Sequence, residues 1–451
     1  LFDNVKLAST VSSYLRGYSH SATRYSSSQS KRNSVKANFK RTQASKLSTS
    51  FFRTQHTQST FEAMASDATR TRLNADQALV ATAAQEGEEL SMSERVKGLY
   101  VNPWDTWNKP SMMTALKWQL TKETAPLPAE VDLNDKLPVW TPDWERLRNP
   151  PAGEIQVTWM GHASFLVQMD GLNILTDPVW SNRCSPVQFL GPARYRKPPC
   201  TLDELPPIDV VLISHNHYDH LDLFTVRHFR NNVLWVVPDG HREWFKSESV
   251  DRVIEMKWWD NYPVTDSVTI SCLPAQHWSK RTAFDDMHAL WSGWGVFGSS
   301  KKLFFAGDTG YCAGFKEIGD KFGPFDLALI PIGAYEPRWM MRCQHVDPIE
   351  AVSIHQDIKS KQSIGMHWGT WVLTDEHVFE PPQKLAAELD AREIDPKSFV
   401  ALYHGQSFDT ATGPAGGRAW SLNPPEQQGD APVEHDHEHE HAEKAPRKAK
   451  H

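Results

Sequence analysis

Long apolar runs are missing from this chain of 451 residues. None approaches the roughly 18 residues that a membrane-crossing helix requires. Cysteine is scarce and scattered: Cys184, Cys200, Cys272, Cys312 and Cys343, with no Cys-x-x-Cys. An odd, dispersed set argues for reduced thiols in an intracellular compartment and against a disulfide framework. Acid is nearly absent from residues 1–60, where ten Lys or Arg face Asp3 alone and Ser and Thr fill much of the remainder. No apolar block there is long enough for a secretory signal. A basic, Ser-rich, acid-poor stretch has the composition of a mitochondrial transit peptide or of a disordered basic tail. Leu1, Val5, Ala8 and Leu15 lie roughly along one helical face, which favours the former.

What remains is acidic. The first 60 residues carry +9 and the whole chain −7, which leaves −16 on the other 391. Such a body is a poor nucleic-acid binder, because affinity there comes largely from cations placed on phosphates. The 39% hydrophobic and 23% charged fractions suit a globular protein. Residues 61–97 are low in aromatics and read as a linker, with order predicted to begin at Gly98-Leu99-Tyr100. Residues 413–451 are rich in Pro, Gly and Gln and include the alternation Glu434-His435-Asp436-His437-Glu438-His439-Glu440-His441. That low-complexity segment is predicted to be disordered and stands outside the fold and the site.

Residues 98–412 alternate strand and helix patterns, which places them in the α/β class. Ile155–Trp159, Ser164–Gln168 and Leu172–Thr176 read as strands, with Asp170-Gly171 as a hairpin turn. Asp209–Ile213, Trp235–Pro238, Val268–Leu273, Leu303–Ala306 and Leu327–Ile330 are further apolar strands. Pro348–Lys359 and Pro382–Leu389 carry helical periodicity. Tryptophan is plentiful, at 18 residues. Trp104, Trp107, Met112, Met113, Leu116 and Trp118 fall at roughly helical spacing, either as core or as an apolar surface that meets a membrane or lines a lipid entrance.

The densest chemistry lies in Ile213-Ser214-His215-Asn216-His217-Tyr218-Asp219-His220. Three histidines and an aspartate within six residues follow a buried-strand pattern. At strand spacing His215 and His217 point the same way, and Asp219 and His220 come after the strand, where a turning backbone can aim them at a second ion. Imidazole nitrogen and carboxylate oxygen are the ligand set of zinc and its neighbours. Four further positions stand in loops at strand ends: Asp177 in Thr176-Asp177-Pro178, His277 in Gln276-His277-Trp278, Asp308 in Gly307-Asp308-Thr309-Gly310, and His367 in Met366-His367-Trp368-Gly369. Singly each reads as a satisfied loop residue. Together they complete a set for two ions.

The order His-x-His-x-Asp-His, lone His, Gly-Asp-Thr, late His resembles the metallo-β-lactamase superfamily. Within it the chain is similar to the N-acylphosphatidylethanolamine-hydrolysing phospholipase D family. Val101-Asn102-Pro103-Trp104, Trp159-Met160-Gly161-His162-Ala163, Ile332-Gly333-Ala334-Tyr335-Glu336-Pro337-Arg338-Trp339, Gln344-His345-Val346-Asp347-Pro348 and His367-Trp368-Gly369-Thr370 carry that similarity. It covers roughly 98–410 and neither terminus. One departure is Asp105, where the family pattern has Pro.

The resemblance implies an αβ/βα four-layer sandwich with two mixed sheets face to face and a dinuclear site in a cleft at one edge. It implies two Zn²⁺, one on His215, His217 and His277, the other on Asp219, His220 and His367, with Asp308 bridging. Asp177 is expected to anchor ligands from behind, and Gln344 and His345 to face the substrate. His345 would bind phosphate or protonate the leaving alkoxide; as a bare residue it reads equally as a loop histidine. Two zinc ions can bring a bridging water's pKa to about 7, and the hydroxide would attack phosphorus in line. The expected reaction is hydrolysis of N-acylphosphatidylethanolamine to phosphatidic acid and an N-acylethanolamine. The same scaffold also serves lactonases and nucleases, and a non-catalytic zinc protein is the remaining alternative. The expected partners are a phospholipid and a membrane surface, with no nucleic acid, and a homodimer is compatible with the pattern. The expected location is mitochondrial and peripheral to the membrane.

Overall fold

The computed structural model describes residues 77–82 and 90–422. The transit-peptide-like segment and the His/Glu alternation lie outside the described residues. A short strand β1 (Ala81–Thr82) and a hairpin of β2 (Glu94–Val96) and β3 (Leu99–Val101) come first. β4 (Gln156–Gly161), β5 (Ser164–Met169) and β6 (Leu172–Thr176) form an antiparallel meander. Its second turn is Asp170-Gly171, with φ of +48° and +78°, the left-handed pair that a tight hairpin turn requires. β7 (Val210–Leu212), β8 (Leu234–Pro238) and β9 (Val253–Met256) continue the sheet in parallel.

The second sheet repeats this plan. β10 (Asp260–Pro263), β11 (Thr269–Leu273), β12 (Gly293–Phe297) and β13 (Lys302–Phe305) are antiparallel. β14 (Leu327–Pro331), β15 (Ser363–Met366) and β16 (Phe399–Ala401) follow in parallel. β17 (Ser407–Asp409) and β18 (Gly413–Pro414) cross back to β4, and β1 closes the β10 edge, so each sheet has eight strands.

Both faces of the parallel strands are buried, which is why they read as unbroken apolar runs. Along β7 and β8, Val210, Leu212, Leu234 and Val236 belong to the large core shared with the second sheet. Val211, Ile213, Trp235 and Val237 face outward onto Val226, Phe229 and Phe245 of the helices Leu223–Phe229 and Arg242–Ser247. On the far side the helices Gly314–Lys321, Pro348–Asp357 and Glu380–Ala391 cover the second sheet. The helix Pro348–Asp357 starts on Asp347, whose carboxylate accepts from Glu350 N at 2.8 Å, with Pro348 at the first helical position. The four layers are those expected from the resemblance.

The ordered region is wider than 98–412. β1 pairs with β10, and Gln77 bridges the Glu255 backbone through Nε2 to O at 2.9 Å and N to Oε1 at 3.1 Å. Ser91 donates to Glu317 and accepts from the Trp259 indole. Part of the expected linker is therefore an edge strand and a set of specific contacts. Its polar side chains bond to the fold instead of supplying apolar area, so composition alone missed them. At the other end Trp420 is buried, with its indole N–H on Lys136 O at 2.8 Å. β12 shows no strand pattern in the sequence. Glycines at 293 and 295 interrupt its pattern, yet a Cβ on Gly293 would lie 2.9 Å from Phe305 O, so close strand packing excludes a side chain there.

Candidate metal centre

The chemistry collects where strands end. His162 follows β4, Asp177 follows β6, the His215–His220 stretch follows β7, His277 follows β11, Asp308 follows β13 and His367 follows β15. In open sheets of this kind ligands bind beyond the carboxyl ends of the parallel strands. Several turns there are left-handed: φ is +56° at His162, +34° at Asp177, +62° at Gly307 and +64° at His367. Such conformations cost of order 1–3 kcal/mol at non-glycine residues and persist where surrounding packing holds them. Gly307 must be glycine, because a Cβ would sit 2.6 Å from Ser214 Cβ and 2.8 Å from Ser292 O.

Two groups of ligand atoms form. His215, His217, His277 and Asp308 place one donor atom each within 4.8 Å of one another, and so do His162, Asp219, His220 and His367. In the first group His215 Nε2 and His217 Nδ1 are 2.8 Å apart, and His277 Nε2 lies 3.3 Å from His217 Nδ1. Asp308 stands between the groups. Its Oδ2 is 3.8 Å from both His215 Nε2 and His277 Nε2 and 3.1 Å from His220 Nε2, while Oδ1 is 3.0 Å from His367 Nε2. Asp219 Oδ2 is 3.5 Å from both His220 Nε2 and His367 Nε2.

The remote ring nitrogens are held in place. His220 Nδ1 donates to Asp177 Oδ2 at 2.6 Å, His277 Nδ1 to Gln344 O at 2.9 Å and His367 Nδ1 to Gly333 O at 3.3 Å. Ser214 donates its hydroxyl proton to Asp177 Oδ2 at 2.5 Å, so its oxygen accepts from His215 Nδ1 at 2.9 Å. Four imidazoles thus turn a lone pair toward the cluster, as metal-binding histidines do. His220 Nε2, His367 Nε2 and Asp308 Oδ1 are buried with no hydrogen-bond partner. Buried polar atoms without partners are rare, and facing lone pairs repel unless a cation lies between them. The donor set fits divalent metal.

Charge supports this. Burial holds His215 well below the usual imidazole range, and holds His217 at about 4 and His277 at about 3. Burial opposes ionisation of Asp219 and Asp308, but the charge of His220 overrides it and both carboxyls sit well below their ordinary range. The same anions, against burial, raise His220 well above its ordinary value and His367 to about 9. Protonated His220 and His367 thus balance the two carboxylates, and a divalent cation held by those anions would displace the two protons and free the inward lone pairs.

A model of the beta-lactamase superfamily domain matches residues 172–368. A relative from Caenorhabditis elegans, named N-acyl-phosphatidylethanolamine-hydrolyzing phospholipase D 1, is 44% identical over 268 residues, 56% of this chain and 75% of its own. The chain belongs to this phospholipase D family. A Saccharomyces cerevisiae relative, named N-acyl-phosphatidylethanolamine-hydrolyzing phospholipase D, mitochondrial, is 36% identical over 274 residues, 58% of this chain and 57% of its own. Among solved structures, a metallo hydrolase from Ignicoccus hospitalis is 20% identical, covers 57% of this chain and 98% of its own, and has a TM-score of 0.42.

In this phospholipase D family chain, the expected metal ligands come together, with Asp177 behind them. His345 lies at the rim, with Nδ1 3.9 Å from Asp308 Oδ2 and its ring 5.2 Å from His277 and 5.3 Å from His367. Gln344 is buried next to His345. Its amide donates to Met341 Sδ at 3.3 Å, and it is the backbone carbonyl that serves the site, through His277. His162 was absent from the expected set. Its Nε2 is 3.1 Å from Asp219 Oδ2 and its ring 4.0 Å from that of His367. An isolated Gly-His-Ala gives no spacing signal, and only the left-handed turn after β4 delivers the ring.

The aromatic approach divides. Trp104 stacks on Trp258 with centroids 5.5 Å apart, and Trp107 packs against the main core. Trp118 is buried with Ala115, Met340 and Met341. These tryptophans are packed rather than displayed, because their large apolar area finds partners on the body. The Met112 side chain lies outside the described residues. On the same helix, Met112–Thr121, Met113 is 73% and Leu120 76% exposed, and nearby Trp339 is 57% exposed under the Lys117 ammonium. Among the described residues no helix is long and apolar enough to cross a membrane.

Proposed function

We propose that this chain is a zinc-dependent phosphodiesterase that hydrolyses N-acylphosphatidylethanolamine to phosphatidic acid and an N-acylethanolamine. One observation carries the reading: Asp308 lies between two clusters of inward-facing imidazoles, its Oδ2 3.8 Å from His215 and His277 and 3.1 Å from His220 and its Oδ1 3.0 Å from His367, in a chain with two relatives named for that activity. His215, His217 and His277 would hold one zinc ion, Asp219, His220 and His367 the other, and Asp308 both. Zinc ions there supply Lewis acidity toward a phosphoryl oxygen and acidify water.

The chain's own groups do the rest. Asp177 holds His220 directly and His215 through Ser214, so one buried carboxylate orients a ring of each cluster. His345 is kept neutral, at about 3, first by burial. A neutral ring at the rim is a hydrogen-bond donor to a phosphate oxygen. A ring so hard to protonate is a poor acid at neutral pH, which favours phosphate binding over proton donation. Beside His367 a narrow cleft is lined by Trp368, Trp371, Val372 and Val378 together with the polar Thr374, Glu376 and His377.

The lipid phosphate lies at the headgroup level, so the protein must reach a membrane surface. Met113, Leu120 and Trp339, with Lys117 beside them, are the candidates for that contact. Mitochondrial delivery by residues 1–60 and a homodimer belong to the same reading.

Removal of metal tests it. Chelator-stripped protein should lose hydrolysis of N-acylphosphatidylethanolamine vesicles and regain it at two equivalents of Zn²⁺. Full activity after stripping, or restoration by a single equivalent, would overturn the two-zinc reading.

A further inference from the structure

His162 is unused by the reading above, yet it is among the most constrained residues of the molecule. It is buried, in a left-handed conformation at φ +56°, just after the irregular register where β4 meets β5. Its backbone carbonyl accepts from the Trp159 indole at 2.9 Å and from the backbone N–H of His367 at 3.1 Å. Its side chain reaches Asp219 Oδ2 at 3.1 Å, while its ring lies 4.0 Å from His367 and edge-on to Trp371 at 4.9 Å. One residue therefore grips two members of the same ligand cluster, one through backbone and one through side chain.

We propose that His162 is a positioning residue for the ion held by Asp219, His220 and His367: its Nε2–H donates to Asp219 and sets the angle at which that carboxylate meets the cation. This rests on the two-ion reading. The chemistry decides between donor and ligand. A carboxylate only accepts, so the proton of the 3.1 Å contact belongs to the imidazole, and a protonated nitrogen has no lone pair for a metal. Asp219 needs such a support. It follows the strand by seven residues, on a turn, and His162 is nearer its Oδ2, at 3.1 Å, than the His220 and His367 nitrogens, both at 3.5 Å. Partners of this kind typically change metal affinity ten- to a hundredfold.

The test pairs two substitutions. His162→Asn tolerates the left-handed backbone but is too short to reach Asp219, whereas His162→Gln restores a donor near the Nε2 position. Stripped proteins are titrated with Zn²⁺ against a competing chelator. In His162→Asn one ion should weaken ten- to a hundredfold and the other stay at its wild-type affinity, with kcat lowered and KM little changed. In His162→Gln both ions should bind as in the wild type, and the Co²⁺-substituted protein should keep the wild-type visible spectrum. Wild-type affinity for both ions in His162→Asn overturns the proposal, as does a Gln variant no better than the Asn variant. An altered Co²⁺ spectrum in His162→Gln also overturns it, by making the imidazole a ligand. If His162→Asn does not fold, the Gln variant against wild type carries the test. A wild type that takes fewer than two ions counts against the two-ion reading, not against His162.

Discussion

Asp308 offers the sharpest prediction at the scale of single residues. Among the proposed ligands it is the one that faces both clusters, so Asp308→Asn should lower zinc content at both sites and cut turnover by a factor of about 10³ or more. Elemental analysis alongside a rate assay checks this, and two retained ions with near-normal rate would remove the bridging role. His345→Ala should behave oppositely, keeping both ions while kcat falls on the order of 10²-fold, the lower end of what one positioned polar group contributes. Loss of metal in that variant would make His345 a ligand. These residues were legible in the sequence because metal chemistry restricts the donor types to few and because His215 to His220 are contiguous. Gln344 and His162 were harder for opposite reasons. Gln344 acts through a backbone carbonyl that any residue carries, and His162 acts through a backbone turn that side-chain spacing does not encode.

Among elements, the parallel strands were read well and the short or glycine-bearing ones poorly. β7 and β8 bury both faces and so appear as apolar runs; β12 and β15 are interrupted by Gly293, Gly295 and Gly365, of which Gly293 lies against the Phe305 backbone. The helix Met112–Thr121 shows why a cluster of apolar residues resists assignment from sequence. Ala115 and Trp118 dock on Met340 and Met341, while Met113 and Leu120 on its other face stay in solvent. Both readings of that stretch, core and surface, hold for different residues of it. Exposed apolar side chains of this size each contribute about 1.5–3 kcal/mol when buried. Met113→Ser with Leu120→Ser should therefore weaken sedimentation with phospholipid vesicles at least tenfold and raise the apparent KM on vesicles. The rate on a short soluble phosphodiester should stay the same. Equal loss on both substrates would contradict the membrane contact.

For the whole molecule, buried histidines set the acid limit of stability. His355 packs on Phe399 and bonds Ser363 through Nδ1 at 2.8 Å, and burial lowers it to about 4. Its unfolded value is about 6.5, and each unit of depression is worth about 1.4 kcal/mol. The folded pKa is the lower one, so this contribution is complete above about pH 6.5 and is lost as pH falls toward 4. His355→Asn should flatten the fall of Tm between pH 6.5 and 4 in the metal-stripped protein; an unchanged slope would contradict it. Which bond of the lipid breaks is decided by one measurement. Hydrolysis of N-acylphosphatidylethanolamine in H₂¹⁸O, with products read by mass spectrometry, should place a single ¹⁸O in phosphatidic acid and none in the N-acylethanolamine. Label in the N-acylethanolamine, or release of diacylglycerol in place of phosphatidic acid, would contradict water attack at phosphorus with loss of the ethanolamide oxygen.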